Sequence, residues 1–333
     1  MSQLPPWIDT QLTALVPRAG HAWLLQGPSG LGQYELGLAL AAAWLCHQPT
    51  AHGACGECPS CHGIEVRAHA DLSVLMPETD MLALQWPLAE KAQKDIDDKK
   101  RKPSKEIRVD AMRELLGFTQ TTGAGARGKV VLIYPAERMN TVTANTLLKT
   151  LEEPPGNTRF ILASAAAHEL LPTVRSRCQV HAMAWPSAES GLAWLRQQGV
   201  PEAQTEVLLR AAGGRPDDAL ELHQLGVQAQ AWRALPKSLL RGEPGVLADN
   251  SPAMVLSSLQ KVCHDMQHLA CGAAPRFFDA SDLPTASSLS ALSQWSRDLM
   301  QSAKTVDHPY QAGLLLEAWV SRAQRAMTAR LAH

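Results

Sequence analysis

The stretch His21-Ala22-Trp23-Leu24-Leu25-Gln26-Gly27-Pro28-Ser29-Gly30-Leu31-Gly32-Gln33-Tyr34 decides the fold. Residues 22–25 read as a short apolar strand, the glycines that follow as a turn, and Leu36, Leu38 and Leu40 among alanines as a helix. In proteins that cradle phosphate, a strand, a glycine-rich turn and a helix follow one another in this order, with the anion held by backbone N–H groups at the helix N-terminus. Gly27 and Gly32 have the spacing of G-x-x-x-x-G-K-[ST], with Gly30 between them, but Gln33 stands where the lysine belongs and Tyr34 where the small hydroxyl belongs. Glutamine brings no positive charge to a phosphate, and a tyrosine hydroxyl lies several ångströms too far out to ligate Mg²⁺. Taken alone, the segment also fits an ordinary glycine-rich turn.

Two more strand signals lie downstream. Residues 129–134 (KVVLIY) are bounded by Gly128 and Pro135, and residues 159–163 (RFILA) follow a helix, 143–153, that must stop before Pro154-Pro155. Their continuous apolar character suits strands covered on both faces, and strands alternating with helices argue for a parallel α/β sheet. In hydrolysing phosphate-loop proteins an acidic group at the end of such a strand holds magnesium. Here Tyr134-Pro135 occupies that place, so the chain is expected neither to hydrolyse ATP nor to bind it as a cofactor.

Composition sets the class. The chain has 333 residues, 45% of them hydrophobic and 19% charged, which is globular and long enough for two or three domains. No apolar run approaches the roughly 18 residues of a membrane span. Thirty-one basic residues against 32 acidic ones give a net charge of -1, so no global field draws the chain to nucleic acid and any DNA contact must be local or shared. The start, MSQLPPWIDTQL, has no basic segment followed by an apolar one, which makes a reducing cytoplasm the expected compartment.

In that compartment clustered cysteines are metal ligands more often than disulfides. Cys46, Cys55, Cys58 and Cys61 are spaced C-x8-C-x2-C-x2-C among turn-forming glycines and a proline, a pattern that wraps four thiolates around one Zn²⁺ and leaves no open position for catalysis. An iron–sulfur cluster, a histidine (His47, His52 or His62) in place of one thiolate, and four unrelated thiols are the competing readings.

Residues 91–106 hold seven basic and four acidic side chains with almost nothing apolar, and read as a solvated, mobile linker. After Trp185-Pro186 strand signals fade. Leucines recur at helical spacing up to about residue 226, and beyond it two amphipathic patterns, Leu256-Leu259-Val262-Cys263-Met266-Leu269 and Leu315-Leu316-Trp319-Val320-Ala323-Met327, are helical as well. Between the third strand and this region, Arg175 and Arg177 stand two apart behind Pro172. The bland reading is a solvated loop; the chemical one is a guanidinium offered to phosphoryl charge on a neighbouring protein.

Three strings then converge: Glu137-Arg138-Met139-Asn140; Ala144-Asn145-Thr146-Leu147-Leu148-Lys149-Thr150-Leu151-Glu152-Glu153-Pro154-Pro155; and Leu171-Pro172-Thr173-Val174-Arg175-Ser176-Arg177-Cys178-Gln179. With the degenerate loop in front of them, residues 20–220 resemble the delta-prime subunits of bacterial polymerase III clamp loaders, ATPase-inactive members of the AAA+ superfamily. The resemblance implies a Rossmann-like AAA+ domain over 1–185 carrying a zinc module at about 46–61, a helical lid over 186–226 and a helical collar over 227–333, into which the tail from His308-Pro309-Tyr310 would fit. It implies a subunit without ATPase of its own in a replicative polymerase complex that loads a sliding clamp onto primed DNA. Its partners would be motor subunits of the gamma/tau type and a delta subunit. Arg177 would be an arginine finger acting in trans, with Ser176 and Cys178 shaping its loop. Motor subunits also carry a nucleotide-sensing arginine before Asp-Ala-Leu in the lid; here Asp217 precedes Asp218-Ala219-Leu220. An autonomous ATP-driven motor and a stand-alone zinc-dependent DNA-binding protein are the alternatives.

Overall fold

The three apolar runs become adjacent strands of one sheet. In the computed structural model, which describes residues 4–284, 288–306 and 311–329, five strands are present: β1 (Ala22–Gln26), β2 (Leu72–Leu75), β3 (Lys129–Ile133), β4 (Thr158–Ser164) and β5 (Gln179–Ala182). They pair in the order β2-β3-β4-β1-β5, and each neighbouring pair is parallel. The two strands that composition did not reveal, β2 and β5, are the sheet's edges.

The helices of this part are α1 (Pro6–Leu15), α2 (Gln33–Leu45), α3 (Pro59–Glu65), α4 (Glu78–Ala83), α5 (Glu90–Asp97), α6 (Val109–Gln120), α7 (Thr141–Glu152) and α8 (Pro172–Arg175). Alternation along the strands assigns their faces. Leu24, Val131, Ile133, Phe160 and Leu162 form one core with Leu147 and Leu151 of α7. On the opposite face α2 comes so close that a Cβ at Gly37 would lie 2.8 Å from Leu132 Cδ1. Asn140 starts α7 by accepting from the Thr143 N–H at 2.9 Å, and the Pro154-Pro155 pair follows its end.

The charged segment 91–106 departs from the expectation of a mobile linker. Part of it is helical, in α5, and Arg101 Nη2 donates to Glu78 Oε1 at 2.7 Å while the Ser104 N–H donates to Glu78 Oε2 at 2.8 Å. Arg101 also holds the Glu78 carboxyl below its usual range. The two signs of charge satisfy each other and a neighbouring helix, so the low apolar content does not leave the segment loose.

By contacts the chain divides into two units, residues 1–185 and residues 186–333. The second contains only helices among its described residues: α9 (Ala188–Gln197), α10 (Glu202–Ala211), α11 (Pro216–Gln224), α12 (Ala229–Leu240), α13 (Pro252–Ala270), α14 (Leu289–Ala303) and α15 (Ala312–Thr328). The expected division near residue 226 falls between α11 and α12, inside this unit. Asp265 of α13, fully buried, organises a loop by accepting the N–H groups of Arg276, Phe277 and Phe278 at 2.9, 2.7 and 2.8 Å. The segment His308-Pro309-Tyr310 lies outside the described residues. No helix among the described residues is long and apolar enough to cross a membrane.

Candidate functional site

Parallel sheets bind ligands beyond the carboxyl ends of their strands. Here that end gathers Gly27 after β1, Tyr134 after β3, Ala165 after β4 and Met183 after β5. The Gly27 N–H donates to Ser164 O at 3.3 Å and the Met183 N–H to Gln26 O at 2.7 Å, tying three strand exits together. A Cβ at Gly27 would approach Met183 Cβ to 2.7 Å, so only glycine fits at this crossing. Gly30 and Gly32 have φ of 73° and 84°, the left-handed region, and Gly32 caps the start of α2. A Cβ on Gly32 would also lie 2.7 Å from Ile8 Cδ1 of α1. The backbone thus runs strand, glycine turn and helix N-terminus, in the order that the sequence motif calls for.

Its side chains have turned inward. Gln33 is buried, and its Nε2 donates to Gly27 O at 2.6 Å and Pro28 O at 2.7 Å, so the residue at the lysine position is tied to the loop itself instead of reaching for an anion. Tyr34, also buried, accepts a hydrogen bond from Trp86 Nε1 at 2.7 Å, and its ring lies 5.5 Å from that of Tyr134. The residues at the hydroxyl position and at the acidic position thus touch one another, and a tryptophan 52 residues away completes the plug. Burial pushes the Tyr34 hydroxyl above the ordinary tyrosine value, which keeps it protonated. Glu137, just beyond Tyr134-Pro135, accepts the Ala165 N–H at 3.0 Å and so braces the exits of β3 and β4.

The four cysteines converge at the other end of α2 from this loop. Cys46 closes α2, Cys58 caps the start of α3, Cys61 lies within α3, and Cys55 sits in the intervening turn, where Gly53 and Gly56 take φ of 120° and 80°. Cys46 Sγ lies 3.5, 3.8 and 3.7 Å from the sulfurs of Cys55, Cys58 and Cys61. Cys61 Sγ is 3.9 Å from that of Cys55 and 3.5 Å from that of Cys58. Four sulfurs about 2.3 Å from a common tetrahedral centre stand about 3.8 Å apart. The geometry fits a single metal ion with a closed shell. All seven cysteines are free thiols, and no histidine joins the group among the described residues. Backbone N–H groups of Glu57 and Cys58 hold the Cys55 thiol below its ordinary value.

A hydrogen-bond chain anchors this module to the sheet. Ser60 Oγ donates to Leu45 O and pairs with His69 Nε2, both at 2.8 Å, while His69 Nδ1 accepts the Asp71 N–H at 3.0 Å. His69 must then carry its proton on Nε2. Asp71, buried at the entry to β2, takes the N–H groups of Ala124 and Gly125 on its carboxylate at 2.7 and 2.8 Å. Neither His69 nor Asp71 belongs to a recognisable motif, and only the fold reveals their role.

Arg177 sits at the opposite edge of this unit's sheet, in the turn between α8 and β5. Ser176 Oγ donates to Thr173 O at 3.2 Å, and Cys178 packs on the core with its thiol pushed up to about 12 by burial. Between these anchors the Arg177 guanidinium projects outward, 31% exposed, and pairs with Glu152 at 3.1 Å.

Taken together these features describe a parallel α/β domain with a glycine-rich strand-to-helix turn packed by its own side chains at one end of α2 and a four-cysteine site at the other. Residues 12–186 match the family model described as DNA polymerase III, delta subunit. The DNA polymerase III subunit delta' of Pseudomonas aeruginosa is 40% identical over 69% of this chain and 64% of its own length. That of Escherichia coli K12 is 34% identical over 72% of this chain and 66% of its own. A tau/gamma subunit of DNA polymerase III from Haemophilus influenzae is 29% identical over 73% of this chain but 32% of its own length. The chain belongs to the family of DNA polymerase III delta-prime subunits, and its matches span about two thirds of the length of the first two of these relatives.

Proposed function

We propose that this chain is the non-hydrolysing delta-prime member of a clamp loader, which assembles with motor subunits of the gamma/tau type and a delta subunit to place a sliding clamp on primed DNA. The observation that carries the reading is the plugged loop: Gln33 bonds its own loop carbonyls, and Tyr34, Tyr134 and Trp86 pack where a hydrolysing relative would keep its magnesium ligands. A chain in this condition contributes to ATP turnover through another subunit's site. Arg177 is the group for that task, since a guanidinium brought to spread phosphoryl charge from a neighbour accelerates its transfer by 10³ to 10⁵ in known systems. Ser176 and Cys178 set the angle at which it leaves the surface.

In this reading residues 1–185 form the AAA+ domain, residues 186–226 the lid and residues 227–333 the collar that joins the ring. Cys46, Cys55, Cys58 and Cys61 hold a structural Zn²⁺. Bound there, the ion would crosslink the end of α2 to α3, and its full shell leaves no position for a substrate. DNA is met through the assembled complex, in keeping with a net charge of -1. The test is to reconstitute the loader with motor subunits, clamp and primed DNA and to compare ATP turnover with this chain as wild type and as Arg177→Ala, with assembly checked by size. A large fall in an intact complex supports the reading. Unchanged turnover removes the finger and leaves the chain at most a structural member of the ring.

A further inference from the structure

Arg175 and Arg177 both reach the surface two residues apart, yet only one is held. Arg177 Nε and Nη2 donate to Glu152 Oε2 at 3.3 and 3.1 Å, and Nη1 donates to Thr173 O at 2.9 Å. The Arg175 side chain has no hydrogen bond or ion pair to another described residue. Glu152 is the last residue of α7, so the guanidinium also lies at the helix end whose dipole favours a cation. An ion pair this exposed, with Glu152 60% open to solvent, adds little to folding stability. What it does restrict is freedom: three donors on three different nitrogens are engaged, which fixes both the plane and the direction of the group.

Nη1 and Nη2 each carry a second hydrogen, and these two form the edge left for bidentate capture of phosphate oxygens. An arginine ordered before its target arrives loses less entropy on meeting it, and small misplacements of such a group cost large factors in rate. We propose that Glu152 is the positioning residue of Arg177, holding the guanidinium so that its free edge is presented to the triphosphate of the neighbouring subunit; this rests on the reading that Arg177 acts in trans.

The experiment uses the reconstituted loader with clamp and primed DNA and compares Glu152→Ala, Glu152→Gln, Arg177→Ala and the double variant Glu152→Ala/Arg177→Ala. Glu152→Ala is expected to lower kcat about 5- to 20-fold with KM for ATP nearly constant, as loss of orientation does. Glu152→Gln keeps an acceptor oxygen for Nε and Nη2 and recovers most of that loss. The double variant falls no further than Arg177→Ala alone, and the melting temperature and assembly of each variant stay at wild-type values. Wild-type turnover from Glu152→Ala beside a collapse from Arg177→Ala overturns the positioning role and leaves the finger in place. So does a rise in turnover, which would make Glu152 a restraint. Intact turnover from Arg177→Ala removes the finger, and the positioning role with it.

Discussion

Trp86 Nε1 donates to the hydroxyl of Tyr34 at 2.7 Å, joining the segment between α4 and α5 to the first turn of the helix that follows the phosphate loop. Trp86 is 7% exposed and Tyr34 8%, so both partners are largely shielded from water. A buried donor stripped of its acceptor costs about 1–3 kcal/mol. Tyr34→Phe should therefore lower the free energy of unfolding by that amount, read as a fall in the urea midpoint with an unchanged slope. A midpoint equal to wild type would mean that the Trp86–Tyr34 bond contributes nothing to stability.

The same plug bears on what engineering could restore. Gln33→Lys with Tyr34→Thr returns the charge and the small hydroxyl to the loop but leaves Tyr134-Pro135 in the two positions after β3, so neither of those positions supplies a carboxylate for magnesium. The double variant should hydrolyse ATP no faster than wild type in a steady-state assay, and it should be less stable because Trp86 loses its acceptor. Turnover at the rate of a motor subunit would show that the loop alone had decided the loss of activity.

At the cysteine cluster the prediction concerns metal content. The four sulfurs lie within 4.8 Å of one another, so one metal ion per chain is expected by elemental analysis, and zinc by its identity. Cys58→Ser breaks the shell and should empty it. Because a closed site couples binding to folding, removal by a strong chelator should destabilise the residues around α3 by at least about 3 kcal/mol. Hydrogen exchange confined to residues 46–71 would report the loss. A chain purified without metal and melting like the loaded one would argue that the thiols pack without it.

How much of this was legible in the sequence depends on burial and on distance along the chain. β1, β3 and β4 announce themselves because strands buried on both faces must be apolar throughout. β5 is Gln179-Val180-His181-Ala182, with three of its four residues exposed, and β2 is a four-residue edge strand with one buried residue. Edge strands need no such run, and both escaped. Gln33 and Tyr34 could be flagged as departures from a motif, but not that they would bond to Gly27, Pro28 and Trp86. Likewise the Arg175/Arg177 pair could be found and the choice between them came from the resemblance, but not that Arg177 would be held by Glu152, 25 residues earlier. The linker expectation at 91–106 failed for an opposite reason: composition counts charges without pairing them, and Arg101 and Glu78 are paired.

Lys261 supplies a test of the second unit that depends on pH. Its ammonium lies 5.4 Å from the ring of Trp232 and 5.8 Å from that of Phe277, and burial pulls its pKa down from 10.5 to about 8, with Arg215 pushing the same way and Asp218 and Glu221 opposing. Between those two values the unfolded chain holds a proton that the folded chain does not, so stability should rise with pH across this window. Below pH 8 both states are charged, and the folded state carries the full cost of the buried ammonium. Lys261→Met removes that charge while keeping a flexible apolar chain against the rings, and loses an attraction to them worth about 0.5–1 kcal/mol. The variant should gain about 1–3 kcal/mol at pH 7, and the gain should shrink toward zero above pH 10.5. Urea unfolding of both proteins at pH 7 and pH 10.5 measures it. A gain independent of pH would mean that the benefit comes from packing, and a loss at pH 7 would mean that Asp218, Glu221 and the two rings more than offset the desolvation of the amine.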